Sequence, residues 1–120
     1  MLKIRWYGTP LPQSRPRFFN GHAYEEPRMK KYKRDLRHSV YAMIPKYRLE
    51  ELPFTEISSV KITIYKNCRA CSKRFGDIDN HAKAILDALR GFIWLDDSII
   101  TELSLKKVES KDEGVEIIVN

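Results

Sequence analysis

Two cysteines in 120 residues leave little room for a metal- or disulfide-organised fold. A zinc module needs four ligands, and Cys68-Arg69-Ala70-Cys71 has no second pair at suitable spacing. His22, His38 and His81 do not follow zinc-finger spacing either. The cysteines read as two ordinary thiols, with a redox role or a zinc site shared across a dimer as alternatives. Long apolar runs are also missing. Nothing approaches the ~20 residues of a membrane span, so no membrane contact is expected. Met1-Leu2-Lys3-Ile4-Arg5-Trp6 lacks the order of charge, apolar run and small residues that marks a secretory signal, which makes a cytoplasmic location the expectation. Repeats and low-complexity tracts are absent.

What the chain has in quantity is charge, unevenly placed. With 42% hydrophobic and 32% charged residues it suits a single globular domain over 1–120. Residues 1–48 carry 12 Lys/Arg against 3 acids, and residues 49–60 carry 3 acids and no base. Residues 61–76 carry 5 bases and no acid, whereas residues 77–120 carry 10 acids against 5 bases. Basic residues gathered in one part of a fold are the electrostatic footprint of a nucleic-acid binder. An acidic patch beside them would repel phosphate unless a cation occupied it.

Hydrophobic periodicity predicts the elements. Leu2, Ile4 and Trp6 alternate with polar neighbours as a half-buried strand, and Val60, Ile62 and Ile64 do the same. Asn20-Gly21, between Arg17-Phe18-Phe19 and His22-Ala23-Tyr24, predicts a hairpin. A helix follows with Pro27 in its first turn, ending before Pro45, with Met29, Tyr32, Leu36, Val40 and Met43 as its apolar stripe. Residues 67–76 read as a basic, mobile loop. A second helix is predicted over about 79–90, burying Ala82, Ile85, Leu86 and Leu89, with Gly91 as its stop. Strands are expected over about 99–108 and after the turn Asp112-Glu113-Gly114. The order β-(hairpin)-α-β-α-β-β implies an α/β (α+β) fold: a small mixed sheet with two helices, closed by a hairpin.

The chemistry concentrates between Gly76 and Asp97. Asp77-Ile78-Asp79-Asn80 stands where the basic loop meets the second helix, and the crossover could bring Asp97 to the same sheet edge. Two like charges ~4 Å apart repel by roughly 4 kcal/mol near a surface, so converging acids would need a proton or a cation. For an all-oxygen cluster Mg²⁺ is the usual ion, with Mn²⁺ as a substitute. Each residue also has an ordinary account. Asp79 suits a helix N-cap, Asp77 a solvated loop acid, and Asp96-Asp97 a turn. Lys83, at four-residue spacing from both Asp79 and Asp87, could simply bridge them on an exposed face.

Gly76-Asp77-Ile78-Asp79-Asn80, Lys83-Ala84, Asp87-Ala88-Leu89 and Trp94-Leu95-Asp96-Asp97-Ser98 together closely resemble the RusA family of Holliday junction resolvases. Ser14-Arg15-Pro16-Arg17-Phe18, with Gly21 and Tyr24, resembles that family's basic N-terminal segment, so the likeness runs along nearly the whole chain. The resemblance implies a Mg²⁺-dependent endonuclease that works as a homodimer on four-way DNA junctions. By position it implies that Asp77, Asp79 and Asp97 are the essential, metal-holding acids and Lys83 the essential lysine, with Asp96 as a fallback ligand. His81 and the Cys68–Cys71 pair depart from the family pattern outside those positions.

Arg15, Arg17, Lys73 and Arg74 are the candidates for contacting DNA phosphates, because they lie in loops next to the acids. The competing class is a non-catalytic basic and aromatic nucleic-acid-binding module, in which Tyr7, Phe18, Phe19, Tyr24 and Tyr65 stack bases. A zinc-organised DNA-binding factor is a third. Only the nuclease gives the acids a task.

Overall fold

The computed structural model describes residues 1–67 and 76–120 of the chain. Most of the basic loop, with Cys68, Cys71, Lys73 and Arg74, lies outside the described residues. The elements run β1 (Leu2–Tyr7), β2 (Arg17–Phe19), β3 (His22–Tyr24), α1 (Pro27–Met43), α2 (Lys46–Leu49), β4 (Val60–Lys66), α3 (Ile78–Leu89), a 3-10 turn (Asp97–Ile99), β5 (Leu103–Glu109) and β6 (Gly114–Val119). The mixed α+β architecture is the one the periodicities imply. One short helix, α2, is added just after Pro45.

Four strands form one sheet in the order β1-β6-β4-β5, and β2 pairs with β3 as a separate ribbon. β4 and β5 run parallel, with α3 in the connection between them, as a strand–helix–strand crossover requires. The expected closing hairpin does not form. β6 instead lies between β1 and β4, antiparallel to both, so β5 and β6 are not neighbours. Its side chains are consistent with that place: Val115, Ile117 and Val119 are buried on one face, and Glu116 and Ile118 on the other face are half-buried, so no residue of β6 is exposed.

One face of the sheet carries Leu2, Ile4, Val60, Ile62, Ile64, Val115 and Ile117, and α1 and α3 contribute Leu36, Val40, Ile85 and Leu89 to the same core. Burying a side chain of this size contributes about 1.5–3 kcal/mol. Pro27 stands in the first turn of α1, and Met29, Tyr32, Leu36 and Val40 are buried as its stripe predicts. Met43 is exposed instead. The helix ends there, and the extended backbone of Ile44 turns that neighbour into the core. The strand expected from about residue 99 begins only at Leu103, because the 3-10 turn takes the preceding stretch.

Candidate active site

The start of α3 is set by a close approach. Gly76 has φ +85°, and a Cβ there would lie 2.9 Å from Pro12 Cγ and 3.1 Å from His81 Nε2. A side chain is therefore excluded where the chain turns into the helix. Asp77 follows as the N-cap residue, with an exposed carboxylate that makes no capping hydrogen bond. Asp79 stands exposed in the first turn, where its Oδ1 accepts the Asn80 backbone N–H at 2.9 Å. Two acids at a helix N-terminus are favoured by the helix dipole, and among the described residues neither has a salt bridge. The inner side of the same turn is His81, fully buried.

Lys83 lies one turn further along and is exposed. Among the described residues its ammonium forms no ion pair, so the bridges to Asp79 and Asp87 do not form. Asp87 pairs instead with Lys33 of α1, at 3.3 Å. Lys33 also donates to Glu25, just after the hairpin, and Gln13 Nε2 reaches the same carboxylate at 3.3 Å. Burial alone would push the Glu25 carboxyl up, but the bonds from Lys33 and Gln13 hold it below the usual range. Gln13 is tied a second time, its backbone N–H donating to the Asn80 carbonyl at 2.9 Å. These bonds fasten the N-terminal loop to both ends of the polar face of α3.

Between them lies an open cleft of about 530 Å³. The loop supplies Gln13, Ser14 and Pro16, the hairpin side supplies Ala23, Tyr24 and Glu25, and the helices supply Lys33, Lys83, Asp87 and Arg90. Asp97 sits in the 3-10 turn, where its Oδ1 accepts the indole N–H of fully buried Trp94 at 2.9 Å. Burial pushes its carboxyl above the ordinary Asp range. The Trp94 bond and the Arg90 guanidinium oppose that rise, and the charges of Asp87 and Asp96 add to it. Asp96 is exposed, and a hydrogen bond from the Ser98 hydroxyl, at 2.6 Å, holds its carboxyl low.

Among the described residues no three His, Cys, Asp or Glu side chains stand close enough together to hold a metal ion. The anticipated convergence of Asp77, Asp79 and Asp97 is therefore not a ready-made three-ligand cage. The donor chemistry still suits a hard cation. Asp77 and Asp79 offer exposed oxygens two residues apart, and Mg²⁺ characteristically takes one or two carboxylates, keeps several waters and uses substrate phosphate for the rest.

Of the predicted phosphate contacts, Arg15 is exposed, while Arg17 lies 3.6 Å from Glu26. Lys73 and Arg74 fall outside the described residues. The residues that pattern-reading missed are Gln13, Glu25, Lys33 and Arg90. For Lys33 a signal exists: it stands four residues after Met29 and three before Leu36, on the margin of the buried stripe.

Among the described residues, no helix is long and apolar enough to cross a membrane. An uncharacterised protein, YqaN of Bacillus subtilis (strain 168), is 25% identical over 138 aligned positions, which span 98% of this chain and 94% of that protein. The family described as Endodeoxyribonuclease RusA matches residues 7–120, a span that takes in the acids, Lys83, the cleft and all of the sheet but part of β1. On that match the chain belongs to the RusA family of endodeoxyribonucleases.

Proposed function

We propose that the chain is a Mg²⁺-dependent endonuclease that resolves four-way DNA junctions by paired phosphodiester hydrolysis. The observation that carries this reading is the polar face of α3. It presents two exposed acids at its N-terminus and, one turn on, a lysine without an ion-pair partner among the described residues, beside a cleft open to a polyanion. In this reading Asp77 and Asp79 would hold the ion, with Asp97 as the third carboxylate of the set. The bound ion supplies Lewis-acid polarisation of the phosphoryl group. Lys83, whose ammonium forms no salt bridge among the described residues, stabilises the charge that builds on phosphate oxygens in the transition state. Trp94 fixes the orientation of Asp97 through its indole N–H. Arg15, Lys73 and Arg74 track the DNA backbone, and their charge steers the substrate to the cleft.

Family membership supports the endonuclease and its Holliday-junction substrate. The homodimer rests on a separate argument. One chain carries one set of these residues, and resolving a four-way junction takes two cuts on opposing strands. An isologous pair supplies two sites at fixed separation. The test is strand scission of a four-way junction, a linear duplex and single strands, with and without Mg²⁺, alongside light scattering. The expected result is symmetric junction cleavage only with the ion, by a species of twice the 14.1 kDa chain mass. Cleavage undiminished by chelator would remove the metal from the reading, and a monomer on DNA would remove the paired cut.

A further inference from the structure

The ribbon β2–β3 is the least buried element of the described structure. All six of its residues are exposed, Phe18 at 73% and Phe19 at 70%. Water-exposed phenylalanines that support no core call for a partner. Asn20 (φ 51°) and Gly21 (φ 77°) both lie in the left-handed region, the signature of a tight two-residue hairpin turn that follows strand twist. The register pairs Phe18 with Ala23 and Phe19 with His22. Successive side chains of a strand point to opposite faces, so the ribbon carries one phenylalanine on each side. Ala23, on the Phe18 side, borders the cleft that holds Lys83; Phe19 and His22 border an apolar recess of about 410 Å³, and Tyr24, at the base of the ribbon, lines both.

We propose that this ribbon is a base-stacking blade, inserted where DNA strands part so that an unstacked base lies on each of its faces. The proposal rests on the reading of the cleft as the nuclease site, and it adds the element that recognises branching. Three features favour DNA over a second copy of this chain. Aromatics on both faces match a step at which two neighbouring bases have lost each other, since each base can stack on one ring. Charge agrees: no acid occurs before Glu25, and the exposed Arg15 stands in the loop that enters the ribbon, while Arg17, inside β2, lies 3.6 Å from Glu26. The position agrees too, since the base of the blade, at Ala23 and Tyr24, adjoins the cleft that holds Lys83. The base of the ribbon is anchored by the Glu25–Lys33 and Lys33–Asp87 pairs, so an inserted tip would remain in register with α3.

The experiment uses the full chain without divalent metal and a four-way junction carrying 2-aminopurine at the branch point. Binding of the wild-type chain should raise the fluorescence as the base leaves its stack. In the Phe18→Ala/Phe19→Ala double variant the rise should disappear, and the preference for junction over linear duplex should fall about tenfold. Should that variant fail to fold, Phe18→Leu/Phe19→Leu keeps apolar bulk without a stacking face and should lose the same signal. An unchanged rise and an unchanged preference in a folded double variant would overturn the blade. A double variant that becomes monomeric where the wild type is dimeric would assign the ribbon to copy-to-copy contact and overturn it equally. A wild-type chain that shows the rise but never cuts DNA with Mg²⁺ would refute the nuclease reading and leave the stacking established.

Discussion

The two faces of α3 obey different rules. The inner face, with His81, Ala82, Ala84, Ile85, Ala88 and Leu89, is buried against the sheet and α1 and makes the helix stable. The outer face, with Asp79, Lys83, Asp87 and Arg90, is exposed or half-buried, and among the described residues these four form no ion pair with one another. Asp87 is claimed by a lysine from another helix, and among the described residues Lys83 has no ion-pair partner. The difference is between side chains fixed by packing and a charge left available for a ligand.

If the faces are separable, each can be damaged alone. The largest effect should come from Asp79→Asn, which should abolish Mg²⁺-supported junction cleavage while moving stability by less than about 1 kcal/mol, the weight of a charge at a helix N-terminus. A gel-shift titration in chelator should find DNA affinity equal or higher, since phosphate meets less repulsion. Wild-type cleavage by that variant would break the comparison. On the inner face, Ile85→Ala should destabilise the fold by about 2–5 kcal/mol in urea titration. At temperatures where the variant is still folded it should cut at near the wild-type rate.

Lys83→Ala should lower single-turnover cleavage about 10²–10³-fold, the usual cost of one lost transition-state contact. Its stability should shift by only a few tenths of a kcal/mol, as for other exposed charges. Equal losses in affinity and in rate would mark Lys83 as a simple phosphate contact. The smallest effect belongs to the tie between loop and helix. Because the Glu25 carboxyl is held below its ordinary range, it adds stability above that range and loses it as pH falls through the lowered value. Glu25→Gln should therefore be slightly less stable at pH 7, and the difference should close on acidification, read as thermal midpoints across pH.

Much of the fold could be read from the chain. Strict alternation marked β1 and β4, Asn20-Gly21 marked the ribbon, and the spacing from Met29 to Val40 marked the inward side of α1. The neighbours of each strand were not legible, because alternation tells which face is buried and says nothing about which edge is occupied. That is why β6 was expected beside β5. At the site, residue identities were legible through the spacing of Asp77, Asp79 and Lys83, but the partners were not. The Lys33–Asp87 and Gln13–Asn80 contacts join segments dozens of residues apart and leave no local pattern. Ile44 taking the place of Met43 shows a finer limit, since a helical stripe holds only as far as the helix does.

The place of β6 also has a consequence in time. β1 and β4 share no hydrogen bonds with each other, and each meets the other's edge only through β6. On the ribosome, β1 emerges first and must wait for residues 114–119 before it gains any strand partner. Until then β1 and the β4–β5 pair cannot belong to one sheet, so the core against which α1 and α3 pack is completed only when residues 114–119 are in place.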